Sequence, residues 1–87
     1  MKKTVHNKIR VLLVDDEEAF RVVIARRLGK RGFIILQASD GEKCLEILAK
    51  DPVDVVVLDV KMPGLSGIET LKIIKQRYKN IQVILLT

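Results

Sequence analysis

Residues 53–69, VDVVVLDVKMPGLSGIE, carry the reading that decides the fold. Val55 to Leu58 is an unbroken apolar run, Asp59 follows it, Pro63 and Gly64 break the chain, and Ser66-Gly67-Ile68-Glu69 comes next. Apolar residues on consecutive positions mark a short strand covered on both faces, as in a parallel sheet. Proline and glycine punctuate a turn. The S-x-x-E pattern is a capping box, in which the serine side chain and the glutamate side chain each satisfy an orphan helix N–H. The stretch therefore reads as strand, turn and helix, with an acid at the carboxyl end of the strand.

Working outward, the same unit recurs. Strands are expected at Ile9–Val14, Phe33–Gln37, Val53–Leu58 and Ile81–Leu86, each short and rich in Val, Ile and Leu. Helical spacing places Phe20, Val23, Ile24 and Leu28 on one face of a helix over about Glu17–Arg31. It places Cys44, Leu45, Ile47 and Leu48 inward over Gly41–Lys50, and Ile68, Leu71 and Ile74 inward over Gly67–Tyr78. Ser39-Asp40-Gly41-Glu42 repeats the capping-box pattern and Asp15-Asp16-Glu17-Glu18 offers a related start. Gly32 stands where a left-handed helix end is expected. Strict β-α-β-α-β-α-β alternation with short connections implies an open parallel sheet with helices on both sides.

Composition agrees with one small globular domain. The chain has 87 residues, 48% of them hydrophobic and 31% charged. Its longest apolar runs, of the length of Val55 to Leu58, fall far short of the ~18 residues a membrane span needs. The basic start lacks the roughly 7–15-residue apolar segment of a secretory signal. Cys44 is the single cysteine, which excludes an internal disulfide and a cysteine metal cage, and its helical position predicts a buried, inert thiol. The expected compartment is cytoplasmic, with no membrane contact. A net charge of +5 raises nucleic acid as a partner. But Arg21, Arg26, Arg27, Lys30 and Arg31 interleave with apolar positions of one helix, and three aromatics are few for stacking bases. A solvated helix face is the plainer reading, a docking surface for an acidic protein the other, and direct nucleic-acid contact is not expected.

The chemistry lies at the strand ends. The first strand runs into Asp15-Asp16, the third into Asp59 and the fourth into Thr87. Open α/β sheets bind ligands beyond the carboxyl ends of their strands. If the first and third strands are neighbours, three carboxylates converge. Their mutual repulsion is relieved by a raised pKa or by a cation. All-oxygen donors favour Mg²⁺ or Mn²⁺. A phosphoryl group held there would meet Asp59 as a nucleophile and Thr87 as a hydroxyl donor. Taken singly, an Asp before a helix is an N-cap and a Thr in a strand is a strand residue. Together, and in phase with the sheet, they read as a site.

The segments VLLVDDEEAFR (11–21), VVLDVKMPGLSGIE (56–69) and VILLT (83–87) resemble the receiver domain of two-component response regulators. The resemblance covers Lys8 to Thr87, with Met1 to Asn7 left as a flexible N-terminal segment. It implies a flavodoxin-like (CheY-like) doubly wound parallel sheet, here of four strands in order 2-1-3-4 with three helices. It implies that Asp59 is the phosphoacceptor, that Asp16 binds Mg²⁺ directly and that Asp15 helps to hold it through water. The backbone carbonyl of Lys61 completes the ligands, Thr87 is the switch hydroxyl, and Pro63, Gly64 and Gly67 shape the loop. The partners implied are a sensor histidine kinase or phosphotransfer protein and an output domain that the sequence does not identify.

The chain departs from the family pattern after Thr87. The family's fifth strand, its lysine, its fourth helix and its output face have no counterpart here. The reading therefore expects a receiver cut after its fourth strand and part of a longer protein. It also expects this chain to form a homodimer, through its fourth strand or through an exchanged element. A phosphorylation-incompetent receiver acting only as an interaction module is the alternative, although none of its acids is missing. A haloacid-dehalogenase-type phosphatase would need an acid at position 61, which is Lys61. A flavodoxin-like cofactor binder would need a Ser/Thr/Gly-rich loop where Asp15-Asp16-Glu17-Glu18 stands.

Overall fold

The structure, a computed structural model, describes residues 8–62 and 64–86. Four strands and three helices alternate: β1 (Arg10–Val14), α1 (Glu18–Lys30), β2 (Ile34–Ala38), α2 (Gly41–Lys50), β3 (Val55–Asp59), α3 (Gly67–Arg77) and β4 (Gln82–Leu86). The strands form one parallel sheet in the order β2-β1-β3-β4. The expected elements, order and class are all present. Element ends shift by a residue or two. β3 begins at Val55 because the Asp54 carboxylate accepts the Arg10 N–H at 2.8 Å, across the base of β1. The expected flexible segment at 1–7, Pro63 and Thr87 lie outside the described residues.

Register alternation divides the sheet into two unequal faces. Leu12 and Val14 of β1, Ala38 of β2, and Val56 and Leu58 of β3 point to one side and join Cys44 and Leu48 of α2, Ile74 of α3 and the loop residue Met62. Leu12, Val56, Leu58, Cys44 and Ile74 are fully buried there. Each full-sized aliphatic side chain so buried contributes about 1.5–3 kcal/mol. Among the described residues the opposite face is covered only by α1, in which no residue is buried. Phe20 and Val23, expected inward, are 44% and 42% exposed. α1 has apolar residues on more than one side, so spacing alone misjudges what the sheet can cover. Ile68 is likewise exposed, and Thr70 joins Ile74 as a fully buried residue of α3. β4, the last strand in the expected order 2-1-3-4, forms the outer strand of the described sheet with Ile84, Leu85 and Leu86 exposed.

The helix starts partly follow the sequence. Ser66 and Glu69 form the capping box at α3. At α2 the cap is Asp40 and not Ser39, with its carboxylate accepting the Lys43 N–H at 2.8 Å. Aspartate there also places a negative charge at the positive helix end. Glu17 precedes α1 without a side-chain cap of its own, and its N–H donates to the Asp15 carboxylate. α1 ends as expected: the Gly32 N–H donates to the Gly29 carbonyl and the Phe33 N–H to the Leu28 carbonyl, a Schellman pair.

Candidate phosphoryl-accepting site

The site follows from the strand order. From β1 the chain crosses to β2 on one side and later returns to β3 on the other, so the order reverses between β1 and β3. Loops diverge there and leave a crevice at the carboxyl ends. Val14 pairs with Leu58, which brings the next residues, Asp15 and Asp59, side by side at the rim. One carboxylate oxygen from each of Asp15, Asp16 and Asp59 lies within 4.8 Å of the other two. Asp15 is buried, Asp59 half-buried and Asp16 exposed.

Two of these side chains are held by the backbone that follows them. The Glu17 N–H donates to Asp15 Oδ1 at 2.9 Å, and the Lys61 N–H donates to Asp59 Oδ1 at 3.0 Å. Both are Asx-type turns. A carboxylate has about four lone-pair sites, so each acid keeps most of its acceptor capacity. Two carboxylates at this separation repel by on the order of 3 kcal/mol at an effective dielectric near 20. A divalent cation removes that cost. Mg²⁺ holds its oxygens at about 2.1 Å in octahedral geometry, which sets them roughly 3–4 Å apart. A small contraction of this trio meets that requirement, and a donor set of hard oxygens without Cys or His suits the ion. The residues fit the metal.

The loop after β3 is shaped by close contact. A Cβ on Gly67 would fall 2.6 Å from Val60 Cα and against the Asp59 carbonyl, so only glycine lets α3 start this near the acid. Gly64 has φ +74°, the left-handed region that side chains disfavour. Met62, which the sequence did not single out, is buried in the core and anchors the middle of the loop. Lys61 itself is exposed.

Beside the acids lies an open depression of about 340 Å³ lined by Asp15, Glu17, Phe20, Asp59 and Leu86. Glu17, Phe20 and Leu86 are the additions to the expected site. The run Asp15-Asp16-Glu17-Glu18 is the available signal for Glu17, whereas the helical spacing of Phe20 points to the core. A smaller apolar crevice of about 160 Å³ adjoins it between α1 and the sheet, near Ile24 and Val57. The arrangement can bind a cation on the acids and an anion against that cation, with the Asp59 carboxylate in reach of both.

Residues 11–87 match the response regulator receiver domain. The sporulation initiation phosphotransferase F of Bacillus subtilis is 40% identical over 78 residues, covering 90% of this chain and 63% of that protein. The response regulator MprA of Mycolicibacterium vanbaalenii is 37% identical over 79 residues, 91% of this chain but 34% of its own length. The chain thus spans under two thirds of these relatives. Among solved structures, the response regulator TrrA of Thermotoga maritima is 38% identical. In complex with Mg²⁺-BeF it superposes with a TM-score of 0.87 over 91% of this chain and 69% of TrrA. In complex with the histidine kinase ThkA it gives 0.85 over 91% and 68%.

Proposed function

Because this chain belongs to the response regulator receiver family, we propose that Asp59 is its phosphoacceptor and that residues 8–87 act as the receiving half of a two-component relay. The observation that carries this is the convergence of Asp15, Asp16 and Asp59 at the switch point between β1 and β3. The donor would be a phosphohistidine on a sensor kinase or phosphotransfer protein, a reading supported by the TrrA–ThkA complex. An Asp59 carboxylate oxygen attacks phosphorus, the N–P bond breaks, and its electron pair leaves on the imidazole nitrogen, which takes up a proton from solvent.

Asp16 and Asp59 would hold Mg²⁺ directly, with Asp15 acting through water and the Lys61 carbonyl completing the protein's ligands. Mn²⁺ suits the same donors. When bound, the ion neutralises charge on the transferring phosphoryl oxygens. The Lys61 N–H on Asp59 Oδ1 fixes the rotation of the acceptor carboxylate. Phe20 forms one wall of the depression. Thr87 is the proposed switch hydroxyl for the phosphoryl oxygen. Chemistry of this kind makes the domain a signalling acceptor, at most catalysing its own phosphorylation and dephosphorylation. No described helix is long and apolar enough to cross a membrane, and a cytoplasmic site of action accords with the relay.

Incubation with acetyl phosphate and Mg²⁺, followed by intact mass, tests the reading. One added phosphoryl group, lost in Asp59→Asn and on chelation, is the expected result. Wild-type protein that gains no mass while its fold is intact favours the interaction-module alternative, for which β4 offers exposed Ile84, Leu85 and Leu86.

A further inference from the structure

The N–H, the carbonyl and one carboxylate oxygen of Asp15 each have a partner, and one of these partners is a side chain that the site does not otherwise use. Its N–H donates to the Ala38 carbonyl at 3.1 Å, extending the β1–β2 ladder by one rung. Its carboxylate accepts from Glu17. Its carbonyl accepts from Arg21 Nη1 at 2.6 Å. The same guanidinium donates from Nε to Gln37 Oε1 at 3.0 Å. Arg21 is half-buried in the first turns of α1, and Gln37 sits on β2 opposite Leu13, so the fork spans helix and sheet directly behind the acids.

We infer that Arg21, held by Gln37, is a positioning residue for the metal site: it fixes the Asp15–Asp16 peptide so that both carboxylates face Asp59. The inference rests on the Mg²⁺ reading above and extends it to residues outside the ligand set. The geometry suits arginine in particular, because a planar fork can satisfy two acceptors in fixed directions whereas a lysine ammonium offers a point charge. The peptide it grips is the one that leads into Asp16, the exposed member of the trio, whose placement depends most on its backbone.

Charge alone predicts the opposite behaviour. A guanidinium near a dication repels it, so if Arg21 were a bystander, its neutralisation would tighten Mg²⁺ binding. Partners of metal ligands that act through orientation lose about tenfold or more in affinity when removed. The sign therefore separates the two roles.

The test is a Mg²⁺ titration of the full chain, followed by amide shifts near Asp16 and Asp59, with urea melts in EDTA run alongside. Arg21→Met is expected to weaken binding about tenfold. Gln37→Ala, which changes no charge, shifts affinity in the same direction, and Arg21→Lys restores part of the loss. Unchanged or tighter binding in Arg21→Met overturns the proposal, as does a Gln37→Ala variant that binds like wild type. If Arg21→Met fails to fold, Gln37→Ala decides alone. Wild-type protein without any Mg²⁺ response overturns the metal reading and this inference together, whereas normal wild-type binding with unaffected variants removes only the inference.

Discussion

Gly67 lies against the peptide that joins Asp59 to Val60, with no room for a side chain between them: an added Cβ would sit 2.6 Å from Val60 Cα. The opposing atoms are backbone, which cannot rotate away. Gly67→Ala should therefore cost about 1–3 kcal/mol in urea unfolding, the usual penalty of overpacking, and should lower phosphoryl uptake because relief comes by moving the acceptor strand. Gly29→Ala is the control. It lies inside α1 with nothing within 4 Å of its Cβ, so alanine should stabilise by roughly 0.5–1 kcal/mol. Equal effects at the two positions would contradict the packing described.

Asp59→Asn should leave the metal-free protein as stable as wild type or more so. Asparagine keeps the Oδ1 acceptor for the Lys61 N–H and removes one of three crowded charges, worth on the order of 1 kcal/mol or more. Urea melts in EDTA decide this. Adding Mg²⁺ should then raise the wild-type midpoint, as binding to the native state alone requires, and raise the variant's much less.

Burial pushes the Cys44 thiol up from 9.0 to about 12, with Asp40 nearby acting in the same direction. A raised pKa on an acid means that the unfolded chain ionises first. The contribution is thus complete below about pH 9 and is lost as pH rises toward 12, with a slope of at most ~1.4 kcal/mol per pH unit. Comparing wild type with Cys44→Ala isolates it: the difference between their stabilities should shrink above pH 9. A difference that stays flat to pH 11 would mean that the thiol is not buried.

Among the described residues β4 has a neighbour only on its β3 side, and Ile84 is 52% exposed. The 87-residue chain should self-associate at micromolar concentration, by antiparallel pairing of two β4 strands or by exchange of an element. Sedimentation of wild type against Ile84→Lys measures it. A monomeric wild type with slowly exchanging β4 amides would sink the idea.

The sheet and the acid trio were legible because their signals are local. Four apolar runs give strands, and the acids follow two of those runs directly in sequence. The order 2-1-3-4 came from the family resemblance, since periodicity says nothing about which strands are neighbours. What escaped was tertiary. Phe20 and Ile68 carry helical spacing yet face water, because the sheet offers too little surface to cover them. Thr70 is fully buried, with its hydroxyl bonded to the Ser66 carbonyl at 2.8 Å and packed beside Gly41. Nothing in its sequence neighbourhood marks that contact. The Arg21–Gln37 fork joins residues 16 apart on different elements and was equally invisible.

The two faces of the sheet have unequal depth, and this has a dynamic consequence. Leu12, Leu58, Ile74 and their neighbours bind α2 and α3 to one side, whereas α1 buries no residue and borders a crevice of about 160 Å³. Regions with few buried contacts open locally at lower free energy than the rest. Hydrogen exchange should accordingly resolve α1 as a separate, earlier-opening unit. Asp59 belongs to the slow unit, while Asp16 leads into the fast one. An ion gripping both would act as a rivet between layers, lending α1 some of the persistence of the strands beneath it. Occupancy of the rim would then be readable along the whole length of a helix that touches the ion nowhere.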